Sequence, residues 1–256
     1  MLLPNPVIFM SFIQFTFGDI SLRAQSRGNN VAIPHLFTPS QINQTVTLHN
    51  EYRRNVTPEA ADMSRLIWDA QLAEIATEYS RGCPTYTSGE NANGGNKYLW
   101  IGENMYMTSN IALDEDYIPK MIKTWYDERQ YYKDSLCVPR KQCGHYTQVV
   151  WAISYQIGCG MTTCGELYVA DKMRKMVTVV VCNYVPGGNF SPLPYKEGKA
   201  CSKCLIGQDC VDSMCEVTNP LNFTTKKPIN GGFIYVNLDL VPHTNPPSDR
   251  ITAVLR

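Results

Sequence analysis

The chain has 256 residues, with 23 Lys or Arg balanced by 23 Asp or Glu, and a formal charge of zero gives no basis for a polyanion partner such as nucleic acid. Ten cysteines, an even number, behind an apolar leader argue for disulfides in an oxidising compartment rather than for metal or thiol chemistry. The length suffices for one well-buried domain with appendages.

Residues 7–17 are almost unbroken apolar sequence, and Thr16-Phe17-Gly18 closes the run with the kind of residues a signal peptidase reads. We expect residues 1–18 to be a signal peptide and the protein to be secreted, although no Lys or Arg precedes the run. It is shorter than the ~20 residues that span a bilayer, and no later segment is a transmembrane candidate.

Thr38-Pro39-Ser40-Gln41 reads as a helix start: Thr38 caps, Pro39 takes the first helical position and Gln41 reaches back. Ile42, Val46, His49 and Tyr52 then share a face, which predicts a helix to about residue 55. A second helix is expected from Asp69 to near Gly82, with Leu72, Ile75, Ala76 and Tyr79 as its buried stripe and Trp68 over its entrance. The Asn- and Gly-rich residues 90–98 have no period and read as a loop. A third helix is expected over residues 117–131, placing Ile118, Met121, Ile122, Trp125 and Arg129 on one side. Beyond it the period changes to two, and residues 148–153, 155–162, 166–170 and 177–184 read as strands. The run Val177-Thr178-Val179-Val180-Val181 is apolar enough for a strand covered on both faces. After Cys215 five prolines interrupt the chain, which reads as an extended tail over 216–256, with residues 232–236 as its one candidate strand.

The cysteines fall into two sets. Cys83, Cys137, Cys143, Cys159, Cys164 and Cys182 are spread widely, whereas Cys201, Cys204, Cys210 and Cys215 crowd together with little apolar sequence between them. Spacing alone allows about 15 pairings for the first set and about 3 for the second. Cys201-Ser202-Lys203-Cys204 with Cys210 and Cys215 also has the outline of a zinc site, which an oxidising compartment disfavours. N-glycosylation sequons stand at Asn43, Asn55, Asn189 and Asn222, those at Asn55 and Asn189 being followed by proline.

Two segments resemble a known family. Gly144-His145-Tyr146-Thr147-Gln148-Val149-Val150-Trp151 and Cys182-Asn183-Tyr184-Val185-Pro186-Gly187-Gly188-Asn189 are similar to the signatures of the CAP superfamily of cysteine-rich secretory proteins, antigen 5 and pathogenesis-related proteins. The resemblance implies a disulfide-stapled α/β fold over residues 36–195, an α-β-α sandwich about an antiparallel sheet. It also implies a cysteine-rich hinge over 196–215 and the pairings Cys83–Cys164, Cys137–Cys143, Cys159–Cys182, Cys201–Cys210 and Cys204–Cys215. The combination of domain, hinge and tail is closest in pattern to helminth venom-allergen-like proteins and also resembles glioma pathogenesis-related proteins. The six-cysteine channel-blocking domain of venom members is absent from the sequence.

The family's cleft carries two histidines and two acids able to hold a divalent metal. His145, Glu103 and Glu128 match three of these positions, but residues 84–88, where the other histidine belongs, contain none. His49 belongs to the first helix and does not substitute; His35 and His243 lie in weakly patterned stretches. One imidazole and two carboxylates make at most a weak divalent-metal site, and a hydrogen-bonded cluster that fixes loop geometry is the expected alternative. Ser88 and Ser109 stand in no nucleophile motif, so no peptidase and no resident cofactor is expected.

Binding is the expected role. The resemblance implies a sterol-contacting loop after the third helix, where Tyr131 and Tyr132, with Trp125 before them, are the candidates. It implies a fatty-acid slot between the first and third helices, which Ile42, Val46, Tyr117 and Met121 could line. The rival expectation is an immunomodulatory scaffold read by host or cell-surface proteins.

Overall fold

The computed structural model describes residues 25–27, 30–88, 100–109, 117–190, 193–205, 207–217, 224–225 and 235–236. The leader 1–18, the loop 90–98, Asn222, His243 and most of the tail lie outside the described residues.

Two short strands, β1 (Gln25–Arg27) and β2 (Asn30–His35), lead into α1 (Pro39–Arg54), and β3 (Ile67–Trp68) leads into α2 (Ala70–Arg81). Next come β4 (Gly102–Thr108), α3 (Tyr117–Asp127), a 3-10 turn (Glu128–Tyr131), and the hairpin strands β5 (Tyr132–Lys133) and β6 (Leu136–Cys137). A short α4 (Gly144–Val149) precedes the two long strands β7 (Gln156–Val169) and β8 (Lys172–Val185). The remaining pairs are β9 (Gln208–Val211) with β10 (Met214–Val217), and β11 (Thr224–Thr225) with β12 (Tyr235–Val236).

The central sheet runs β1-β2-β7-β8-β4, antiparallel throughout, with β3 added in parallel to one end of β7. Alternation along β7 and β8 makes two apolar faces. Ile157, Cys159, Met161, Val180, Cys182 and Tyr184 meet α1 and α3, whereas Val177, Val179 and Val181 meet α2. Helices thus flank the sheet on both sides. Gly158 and Gly160 set how close α2 comes, since a Cβ at either would strike helix backbone at Ala73 or Thr77.

The starts of α1 and α2 follow their sequence signals. Thr38 Oγ1 accepts from Gln41 N–H (3.2 Å), Gln41 Oε1 accepts from Thr38 N–H (2.9 Å), and Asp69 Oδ1 accepts from Gln71 and Leu72. The buried row of α1, however, is Gln41, Thr45, His49 and Arg53, while Ile42, Val46 and Tyr52 sit half-buried at its flanks. The third helix changes to a 3-10 turn at Glu128.

The largest departure is at residues 148–153, expected as a strand. Residues 144–149 are helical, and 149–152 form a fully buried turn with no alternation of exposure. The Cys143 side chain gives α4 no cap; instead Glu128 Oε2 accepts from the N–H groups of His145 (3.0 Å) and Tyr146 (3.2 Å). A cap delivered from another helix leaves no local signal, so the β-branched pair Val149-Val150 misled the reading. Two expected strands at 155–162 and 166–170 are one, β7, and β2 and β4 had no counterpart in the expectations.

Five disulfides join Cys83–Cys164, Cys137–Cys143, Cys159–Cys182, Cys201–Cys210 and Cys204–Cys215. The last two staple a segment that packs on the domain: Cys215 N–H donates to Met63 O, Arg65 N–H to Cys215 O, and Met214 lies fully buried in the main core. No helix among the described residues is long and apolar enough to cross a membrane.

Candidate functional site

Where α3 ends, Glu128 turns back under α4. Its Oε1 accepts from His145 Nδ1 (2.7 Å), which fixes the ring. Trp125 stacks on the other side of that ring, with centroids 6.2 Å apart and planes 12° from parallel. The Trp125 indole N–H donates to Met105 O (3.0 Å), so the tryptophan is core and only 2% exposed.

Below Trp125 lies a buried chain of polar groups. His49 Nδ1 donates to Thr45 O (2.8 Å), and its Nε2 accepts from Tyr184 OH (2.9 Å). Asn104 Nδ2 donates to Tyr184 OH (3.4 Å) and to His145 O (3.1 Å). Burial, with a smaller push from Arg53, depresses the His49 pKa to about 4 against the raising effect of the Thr45 carbonyl, so the ring is neutral at physiological pH.

Glu103 and His145 both line a cleft of about 700 Å³, with Asn104, Tyr132 and Asn189 among its walls. Both Glu103 oxygens are engaged by Ser88, through N–H (2.8 Å) and Oγ (2.8 Å). Burial raises the Glu103 pKa, and the Ser88 bonds oppose that shift. Ser88 occupies the stretch where the family places its other histidine; being tied to Glu103, it is not paired with His145 as a nucleophile, and Ser109 is exposed at the end of β4.

These donors do not fit a metal ion. Among the described residues, His145, Glu103 and Glu128 do not bring three ligand atoms within 4.8 Å of one another, and each carboxylate already serves protein donors. The sulfurs of Cys201, Cys204 and Cys215 do cluster that closely, but each is half of a disulfide and offers no thiolate.

The two signature segments hold each other. Gln148 Oε1 accepts from Gly188 N–H (2.8 Å), Thr147 Oγ1 donates to Asn189 Oδ1 (2.7 Å), and Asn189 Nδ2 donates to Gly144 O (3.0 Å). Arg53, fully buried, holds the far end: its guanidinium donates to the carbonyls of Ser64, Val149, Trp151, Ala152 and Ser154 at 2.6–3.2 Å. Among the described residues no carboxylate within bonding distance balances its charge; burial lowers its pKa to about 9, still protonated at neutral pH. Sequence reasoning missed Arg53, Tyr184 and the role of His49; the polar row 41, 45, 49, 53 on a helix that must bury one side was the available signal.

Of the expected sterol-loop residues, Trp125 is interior, Tyr131 packs under Lys141 Nζ (4.8 Å), and Tyr132 stands between two cavities. The loop is a hairpin, β5 to β6, turned by Asp134 and Ser135 in the left-handed region (φ 50° and 65°) and closed by Cys137–Cys143. On its other side a cavity of about 610 Å³ is floored by Tyr126, Tyr132, Tyr146 and Tyr195 and edged by Arg129 and Pro194. Tyr126 and Tyr132 each meet Tyr146 at 5.7 Å between centroids, and burial pushes the Tyr195 pKa up to about 12. Of the expected fatty-acid slot, Tyr117 and Met121 are core residues, Tyr117 OH donating to Met161 Sδ (3.1 Å), while Ile42 and Val46 are half-buried.

The described residues form a three-layer, disulfide-stapled α/β domain with a cleft beside His145 whose carboxylates, Glu103 and Glu128, are already engaged by protein donors. Residues 46–184 match the Cysteine-rich secretory protein family, CAP, more than half of the 256 residues, and the chain belongs to that family. Peptidase inhibitor 16 of Mus musculus is 38% identical over 179 residues, 68% of this chain but only 34% of that protein, so this chain spans about a third of its length. GLIPR1-like protein 1 of Mus musculus is 36% identical over 192 residues, covering 73% of this chain and 77% of the relative. The solved structure of BmVAL-1 superposes with a TM-score of 0.53 at 26% identity, over 70% of this chain and 95% of the other. The relatives named as peptidase inhibitors are, by name, not peptidases.

Proposed function

We propose that this protein is a secreted, non-catalytic lipid-binding protein that holds a sterol reversibly in the tyrosine-floored cavity beside the β5–β6 hairpin. The observation that carries this reading is the cavity of about 610 Å³ over Tyr126, Tyr132, Tyr146 and Tyr195, within the range of small-molecule sites. The aromatic lining from Tyr126, Tyr132, Tyr146 and Tyr195 suits an apolar body, and Thr57, Gln130 and Ser135 at the wall suit a single hydroxyl. A fatty acid such as palmitate is the second candidate ligand.

Radiolabelled cholesterol titrated onto the natively secreted protein tests it. Saturable binding above a denatured control, weakened roughly tenfold or more by Tyr132→Ala, is the expected result; none above that control refutes it.

A second reading has its own support. Leu136 is 68% exposed on a hairpin closed by a disulfide, a rigid apolar tip of the kind that protein partners take, and several relatives carry the name peptidase inhibitor. In this reading host or cell-surface proteins bind the scaffold or its tail. Deleting residues 216–256 separates the two: sterol binding survives, and a tail-borne partner contact is lost.

A further inference from the structure

The central sheet has a gap on one edge of β7. β2 pairs with β7 from Cys164 to Met161, and β3 pairs with it at Gln156 and Ile157, so residues 158–160 have no strand on that side. Backbone polar groups alternate sides along a strand. Since Ile157 O accepts from Asp69 N–H on the β3 side (2.8 Å), the N–H and C=O of Cys159 also face outward, into the gap. Neither has a hydrogen-bond partner among the described residues.

Over this gap lies a cavity of about 490 Å³, walled by Leu36, Phe37, Ile42, Trp68 and Ala73 and reaching Arg81 at the end of α2. It opens between the start of α1 and α2 and shares no lining residue with the cavities beside the hairpin. Arg81 Nη1 meets Glu78 Oε2 (3.3 Å), but its Nε is buried and has no partner among the described residues. Buried N–H groups without an acceptor are rare. This cavity therefore presents an amide-like donor and acceptor side by side at Cys159, a cationic donor at Arg81, and apolar walls. Glu74, the other acid on the lining, is exposed, where solvent and salt screen it.

We propose that this gap binds an apolar α-amino acid residue with an acylated nitrogen and a free carboxylate, its amide completing the β7 edge at Cys159 and its carboxylate taking the Nε–H of Arg81. Main-chain pairing gives such a ligand its register, and carboxylate capture its polarity. The same grouping occurs in small N-acyl amino acids and at the C-terminus of a peptide. The site is separate from the tyrosine-floored cavity and does not depend on the sterol reading.

Calorimetric titration of the full chain tests the proposal with N-octanoyl-leucine, N-acetyl-leucyl-leucine and the C-terminal amide of each. One free acid or both binds at least roughly tenfold tighter than its amide, and which one binds tells a small acyl amino acid from a peptide terminus. Arg81→Gln reduces the preference for acid over amide, and Ala73→Met, which fills the cavity from α2, abolishes binding while leaving the thermal midpoint and circular dichroism in place. Saturating cholesterol does not displace the probe. Equal binding of acid and amide, no binding of either acid, or full binding by correctly folded Ala73→Met overturns the proposal; none of these bears on cholesterol binding itself.

Discussion

Arg53→Met should be among the most damaging single substitutions in the described chain. The guanidinium makes six hydrogen bonds to five carbonyls. Two of the five retain another donor, since Ser64 N–H also reaches Ala152 O and Ser154 N–H also reaches Trp151 O. The carbonyls of Ser64, Val149 and Ser154 lose the one partner each has among the described residues. A buried polar group left unpaired costs roughly 1–3 kcal/mol, so three give roughly 3–9 kcal/mol, offset in part because a desolvated charge is removed. A net loss of about 3–5 kcal/mol follows, or about 6–20 °C in Tm for a domain of this size. Thermal denaturation followed by circular dichroism, with disulfides intact, measures it. The neighbouring Arg54, whose partner is the exposed Asp212, is the control: Arg54→Met should cost no more than about 1 kcal/mol. If Arg53→Met costs as little as Arg54→Met, the guanidinium is not what holds the 149–154 turn.

Three further outcomes follow from the geometry. The His49 pKa is about 4 when folded against an ordinary 6.5, so the unfolded chain takes up a proton first as pH falls. Stability present above about 6.5 is then lost towards pH 4, by roughly 3 kcal/mol in all; urea unfolding at pH 7.0 and 4.5 should show a smaller pH difference in His49→Gln. The Cys137–Cys143 bridge closes a short ring, with a sequence separation of 6, and removing it as Cys137→Ser/Cys143→Ser should cost about 2 kcal/mol. Titration of that variant should also show weaker cholesterol binding, because the hairpin wall of the tyrosine cavity is no longer tied to α4. Asn43 is exposed on α1, whereas the Asn189 amide bonds both Thr147 and Gly144. Glycopeptide mass spectrometry of secreted protein should find a glycan at Asn43 and none at Asn189.

How far the fold was legible depended on whether each signal was local. Thr38, Pro39 and Gln41 announce α1 because a capping box is satisfied within four residues, and the β-branched run at 177–181 announces β8 because both of its faces are covered. β2 and β4 were not legible. β2 has a proline at residue 34, paired with Thr162, and apolar Val31 and Ile33 on its exposed face, and β4 is an outer strand whose residues are mostly half-buried, so neither shows in sequence the apolar–polar alternation that marks a strand. The α4 segment failed for a different reason. Its helix is one and a half turns long, too short to be stable alone, and exists because Glu128 caps it and Cys143 anchors it.

The candidate site divides in the same way. Residue identities and their match to a family placed His145, Glu103 and Glu128 near one another, but what each carboxylate bonds could only come from the fold: Glu128 spends itself on His145 and the α4 backbone, and Glu103 on Ser88. The motif from Gly144 to Trp151 is therefore held at both ends by charged groups that no short window of sequence contains, Glu128 at the amide end of α4 and Arg53 at the carbonyl end of the following turn. This explains how a segment that looks catalytic can instead hold the fold together. Its histidine is one element of a clasp joining α3, α4 and the sheet, and Tyr146, whose N–H bonds Glu128 in that clasp, lies 5.7 Å from Tyr132 in the floor of the proposed sterol cavity. Replacing His145 with Gln would remove the Nδ1 bond to Glu128 yet keep both backbone bonds, so it should loosen the cleft while leaving the α4 cap and the tyrosine floor in place. Cholesterol affinity changed by less than about threefold in that variant, beside a large loss in Tyr132→Ala, is what a clasp predicts; equal losses in both would return His145 to the binding site itself.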